Sequence, residues 1–135
     1  MPNKSHFVLT VKDLKKAKQW YDDVLGFLGF DIAFADDRNV YYKSDAFPFY
    51  LAIFQGHEKY RQDKMDRYRV GFHHLGLAVD TKKTVDDFYE FLSKRNDVDI
   101  EAKPRHYPDY GDKLYYAIFF HDPDGLRLEV FYEEH

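Results

Sequence analysis

Three side chains of metal-ligand type stand at telling places in this chain: His6, His74 and Glu129. Glu129 lies within residues 126–131 (LRLEVF), directly after the turn signal Asp122, Pro123, Asp124, Gly125. The segment alternates with period two, so it reads as a strand leaving a tight turn. Leu126, Leu128 and Val130 then share a core face, while Arg127, Glu129 and Phe131 share the other. A carboxylate in mid-strand is expected to be exposed, paired or bound to a metal. His6 opens residues 6–11 (HFVLTV) and His74 opens residues 74–79 (HLGLAV), two further alternating segments. Strand parity sends both imidazoles to the non-core face. Two histidines and one carboxylate leave positions open on a metal and suit Fe(II), Mn(II), Ni(II), Co(II) or Zn(II).

The elements that must position these residues come in two matching sets. After the first strand, Asp13 reads as the N-cap of a helix reaching about Leu25, with Leu14, Ala17, Trp20, Tyr21 and Val24 as its buried stripe. Gly26 and Gly29 stop it. Residues 30–35, 39–44 and 49–55 read as three short strands between turn residues. The order strand, helix, three strands then recurs. A shift of 68 lays residues 6–11 on 74–79, Trp20 and Tyr21 on Phe88 and Tyr89, and residues 30–32 on 98–100. Tyr41 and Tyr42 match Tyr115 and Tyr116 at a shift of 74, and residues 51–54 match 128–131 at 77. This assigns six extra residues to the second copy around 104–113 and three more to its last turn. The first-copy counterpart of Glu129 is Ala52, which has no metal-binding group. The charged stretch 56–71 reads as a surface linker. The expected organisation is a single domain over 1–135, with repeat 1 at about 5–55, the linker at 56–71 and repeat 2 at about 72–133. The expected class is α+β: two βαβββ units forming one curved, cup-like mixed sheet with a helix packed outside each.

Composition narrows the field. The 135 residues suffice for one core. Twelve Tyr and thirteen Phe point to a large amphipathic surface such as a cavity wall or interface. A net charge of -4 argues against non-specific nucleic-acid binding, and no apolar run is long enough to span a bilayer. With no Cys, disulfides and thiolate chemistry are excluded, which suits a reducing, cytoplasmic setting. There is no Gly-rich phosphate loop and no Gly-x-Ser-x-Gly elbow.

The doubled βαβββ unit, a His opening each copy, Leu25-Gly26-Phe27 after the first helix and the closing run of residues 122–129 (DPDGLRLE) together resemble the vicinal oxygen chelate superfamily. That superfamily includes glyoxalase I, type I extradiol dioxygenases, fosfomycin-modifying enzymes and bleomycin-binding proteins. The resemblance spans essentially the whole chain and implies that His6, His74 and Glu129 hold one divalent metal ion. It implies a metal-dependent enzyme acting on a small substrate through two neighbouring oxygens, by lyase or isomerase, dioxygenase or thiol-transfer chemistry. Glyoxalase I is similar in layout but places a fourth ligand, usually Glu, where this chain has Ala52, which disfavours that reaction. The alternative is a small-molecule binding protein of the bleomycin-resistance type, without catalysis.

Other candidates follow from position. His73 points by parity to the helix side, leaving His74 as the ligand and His73 as a structural or outer partner. A dioxygenase would want an acid–base His and a phenol near the metal, for which His57, Tyr110 and Tyr116 are candidates. Arg127 could hold an anionic substrate or pair with Glu129, and with Phe131 and Tyr50 it is a candidate pocket residue. Arg105, His106, Tyr107 and Tyr110 lie in the enlarged second-copy loop, which could close over a site or pack at a dimer interface. Open sheet edges and apolar faces predict a homodimer.

Overall fold

A computed structural model describes residues 4–111 and 113–134. In chain order the first repeat is β1 (Ser5–Val11), α1 (Leu14–Phe27), β2 (Asp31–Ala35), β3 (Asn39–Lys43) and β4 (Phe49–Gln55). The second is β5 (Leu75–Ala78), α2 (Lys82–Ser93), β6 (Asp99–His106), β7 (Tyr115–His121) and β8 (Arg127–Glu133). Short 3-10 turns occupy Glu58–Tyr60 and Pro108–Tyr110. The chain divides into two compact units between Asp63 and Lys64, each holding one repeat. Among the described residues, no helix is long and apolar enough to cross a membrane.

Local chemistry sets the helix ends. The Asp13 carboxylate accepts from the Lys16 backbone N–H at 3.2 Å, and Thr81 does the same for Thr84 at 3.1 Å, so each helix starts on a side-chain cap. Leu14, Ala17, Trp20, Tyr21, Val24 and Leu25 form the buried stripe of α1, and Val85, Phe88 and Leu92 that of α2. The first helix continues past Gly26 to Phe27, and the chain turns away at Gly29, whose φ is 89°.

Each unit is a four-stranded mixed sheet, ordered β1-β4-β3-β2 in the first and β5-β8-β7-β6 in the second. The β1–β4 and β5–β8 pairs are parallel and the others antiparallel. One face of each sheet packs on its helix. Val40, Tyr42, Leu51 and Ile53 supply that face in the first unit, and Ile118, Phe120, Leu128 and Val130 in the second. A tyrosine ties strand to helix in each: Tyr42 donates to Asp22 at 2.8 Å and Tyr116 to Asp86 at 2.5 Å.

The strand registers locate the repeat more finely than sequence matching. Val8 lies opposite Ala52, and Gly76 lies opposite Glu129, so shifts of 68 and 77 and the Ala52–Glu129 equivalence hold. Both outer strands carry a bulge at the same step, between Ile32 and Phe34 and between Ile100 and Ala102. The match of Tyr41 and Tyr42 to Tyr115 and Tyr116 does not survive. Tyr41 faces Ala52 as Phe119 faces Glu129, a shift of 78. The second copy therefore carries its extra length, ten residues, wholly in the β6–β7 hairpin, and its last turn is one residue shorter in register instead of three longer. Two adjacent tyrosines begin the extended part of β7, and their likeness to the pair in β3 misled the sequence comparison.

Candidate metal centre

The second unit builds its site on β8. Asp122 accepts from the backbone N–H of Asp124 at 2.9 Å and of Leu126 at 2.8 Å, and Gly125 takes φ 85°, so the turn launches the strand in one register. Alternation then puts Leu128 and Val130 into the core and Glu129 on the opposite face, as the sequence predicts. Glu129 is nevertheless 3 % exposed. Its carboxylate has room because its cross-strand neighbour is glycine: a Cβ at position 76 would lie 3.0 Å from Glu129 Oε1 and 3.3 Å from the Phe131 ring.

Both carboxylate oxygens are engaged. Oε1 lies 3.2 Å from His74 Nε2, and Oε2 accepts from the Tyr115 hydroxyl at 2.6 Å. His74 comes from the residue just ahead of β5, and its ring lies edge-on to Phe119 with centroids 6.1 Å apart. Its other nitrogen, Nδ1, is 2.6 Å from His73 Nδ1. With Nε2–H donating to Glu129, neutral His74 has an acceptor at Nδ1, so His73 donates to it. Burial, the largest cause, holds His74 below its ordinary 6.5; Glu129 opposes this and Arg127 and His73 reinforce it. This lowering favours the neutral ring, the state in which a nitrogen lone pair can bind metal.

His73 does not go to the helix side. The residues ahead of β5 are not strand, so strand parity does not govern them, and the His73 ring stands against His74 with centroids 4.8 Å apart. His6 is exposed on β1, in register with Tyr50, which is buried beneath the Lys4 ammonium. Of the three expected ligands, the second unit brings together His74 and Glu129. Among the described residues, no group of three or more His, Asp or Glu gathers as a metal cluster.

The other candidates separate. Tyr116 is removed from the site, since it donates to Asp86 on α2 and lies under the Lys82 ammonium. Tyr110 stacks on Tyr107 and meets the Tyr115 ring edge-on at 4.9 Å, one ring removed from Glu129. His57 sits ahead of the Glu58–Tyr60 turn and stacks loosely on Tyr60. The phenol at Glu129 belongs to Tyr115, and burial followed by the Glu129 hydrogen bond pushes its acidity far down. Phe131 stacks on Tyr115 at 5.0 Å. Arg127 shares the face of Glu129 but pairs with Glu101, through Nε and a terminal nitrogen at 2.8–3.2 Å, and lies 4.0 Å over the Phe119 ring. Glu101 also accepts from Arg67 at 2.8 Å and lies 3.0 Å from His121 Nε2. The Arg127 bond is the main reason its carboxyl falls to about 2. Arg105 lies over the Tyr107 ring at 4.0 Å, so its guanidinium serves the enlarged hairpin.

An imidazole nitrogen and a buried carboxylate oxygen 3.2 Å apart supply two of the three donors of a two-histidine, one-carboxylate set, a donor chemistry suited to a divalent cation. Comparison with known proteins agrees with the architecture. Residues 5–130 match the family described as the Glyoxalase/Bleomycin resistance protein/Dioxygenase superfamily. The chain is 30% identical over 125 residues to the uncharacterized protein YqjT of Bacillus subtilis, covering 93% of this chain and 94% of that one. A candidate glyoxalase from Bacillus halodurans of known structure has a TM-score of 0.81 at 25% identity, covering 98% of this chain and 96% of that one. A lactoylglutathione lyase from Agrobacterium tumefaciens, 24% identical, shares the fold at a TM-score of 0.66, with coverage of 98% and 94%.

Proposed function

We propose that this chain, which belongs to the Glyoxalase/Bleomycin resistance protein/Dioxygenase superfamily, is a metal-dependent enzyme acting on a small substrate through two neighbouring oxygen atoms. His74 and Glu129 are two of the protein ligands. His6, the repeat-equivalent of His74, is the third, supplied by the same chain or by a second copy in a homodimer. The observation that carries the reading is the buried Glu129 carboxylate, whose Oε1 faces the Nε2 of His74 at 3.2 Å.

A bound divalent ion would act as a Lewis acid on the substrate oxygens, worth several kcal/mol as an order of magnitude. The protein groups have separate tasks. For Nε2 of His74 to ligate, its hydrogen must reside on Nδ1, where His73 then accepts it. Glu129 supplies the negative charge and Tyr115 holds its second oxygen. Phe119, Phe131 and Tyr107 give the same face an apolar, aromatic character suited to excluding water. With Ala52 at the position equivalent to Glu129, the chain lacks a fourth protein ligand there, which disfavours the glyoxalase I reaction.

The test is elemental analysis of protein purified without chelators, beside Glu129→Gln. One divalent ion per site in the parent and loss in the variant is expected. Equal metal content in both would sink the chelate reading and leave a binding protein of the bleomycin-resistance type, recognised by ligand binding without turnover.

A further inference from the structure

We infer that Tyr115 is a positioning residue for Glu129, and that the extended β6–β7 hairpin serves to hold one oxygen of that carboxylate so that only the other is offered beside His74. This rests on the metal reading above. Tyr115 has no counterpart in the first repeat. At the β7 shift of 78 its place falls on Asp37, in the short turn between β2 and β3. The ten added residues lengthen both strands, so that His106 pairs with Tyr116 and the Tyr107 N–H donates to the Tyr115 carbonyl at 2.8 Å.

The same addition immobilises the phenol. Phe131 stacks on one face of the Tyr115 ring, with planes 10° apart. Tyr110 closes edge-on at 4.9 Å, and Tyr107 stacks on Tyr110 while meeting Phe119 edge-on. A tyrosine has few torsions, and these rings leave its hydroxyl one direction, toward Oε2 at 2.6 Å. That length is typical of an O–H donor on an ionised carboxylate. A carboxylate so held would offer a cation one oxygen instead of two, since the other is already occupied by the Tyr115 hydroxyl.

Cobalt(II) titration followed by visible absorption, on the parent and on Tyr115→Phe, tests this alongside the side-chain 13C carboxyl resonance of Glu129 in metal-free protein. The resonance is identified by its disappearance in Glu129→Gln. Tyr115→Phe is expected to bind cobalt about tenfold more weakly, with an altered absorption band, as loss of an outer hydrogen-bond partner does elsewhere. The carboxyl resonance is expected to move in the metal-free variant, which a packing role would not produce. A cobalt affinity within about twofold of the parent, or an unmoved carboxyl resonance, overturns the inference. If the parent itself takes no cobalt, the metal reading falls, and an unmoved resonance would still separately remove the hold of Tyr115 on Glu129. Should Tyr115→Phe fail to fold, Phe131→Leu keeps the phenol but frees its ring; weaker cobalt binding supports the inference and unchanged binding overturns it.

Discussion

At the middle of each parallel strand pair, two residues trade sizes. Val8 stands beside Ala52 between β1 and β4, while Gly76 stands beside Glu129 between β5 and β8. The strand order, the pairing directions and even the outer-strand bulge are the same in the two repeats. What differs is where the volume sits, and a carboxylate long enough to reach His74 needs the glycine opposite it. The bulges make the same point. The residue left unpaired is Ala33 in the first copy and Glu101 in the second, where it gathers Arg67, His121 and Arg127. A duplicated frame thus acquires chemistry on one side by exchanging a few side chains at steps the backbone already provides.

The comparison breaks most visibly at Ala52. Ala52→Glu alone would bury a carboxylate beside Val8, and we expect a loss of roughly 3 kcal/mol or more in urea denaturation. Adding Val8→Gly should return at least about 1 kcal/mol, because the cross-strand space of the second copy is then recreated. A neutral single variant would show that the two positions are not equivalent. Next in size, His74→Ala and His6→Ala should each weaken metal binding by at least about tenfold, or about 1.4 kcal/mol, in calorimetric titration. Loss in His74→Ala only would confine the donor set to the second repeat.

A smaller effect is expected at the glycine. Gly76→Ala places a methyl 3.0 Å from Glu129 Oε1, so the carboxylate must shift, at about 1 kcal/mol of stability. Val8→Ala, at a half-exposed edge position, should stay within about 0.5 kcal/mol, and equal losses in thermal melts would refute the exchange of volumes. The least effect concerns acid. Arg127 depresses the Glu101 carboxyl to about 2, so the stability it contributes is fully present above its ordinary 4.5 and is lost as pH falls through about 2. Glu101→Gln should flatten the pH dependence of unfolding between those values. An unchanged slope would mean that the cluster contributes nothing measurable.

The repeat, the stripe of the first helix and the face of Glu129 were legible because period-two and 3.6-residue patterns report burial directly. The tyrosines were half legible. The mistaken shift of 74 differs from 78 by an even number, so it kept Tyr115 on the Glu129 face and Tyr116 on the helix face. Parity alone would therefore have selected Tyr115; the step along the strand was what the sequence match lost. The Arg127 partner was not legible, because Glu101 lies at a bulge, where alternation no longer tells which way a side chain turns. His73 escaped for a related reason, since it lies outside the strand whose parity was applied to it.

The bulge that recurs in β2 and β6 has a consequence for how the protein survives at high concentration. β2 is an outer strand with Ile32 and Phe34 about half exposed, a composition that invites a foreign strand to add on. One unpaired residue bends the ribbon and sharpens its twist, so its free amides no longer lie in line for a second chain to read. In β6 the same kink is followed by a second register shift between Ala102 and Arg105, where Lys103 and Pro104 add charge and a missing N–H. The two repeats thus share a backbone feature of the kind that hinders strand addition at an edge, and the second adds a further shift with charge and proline beside it.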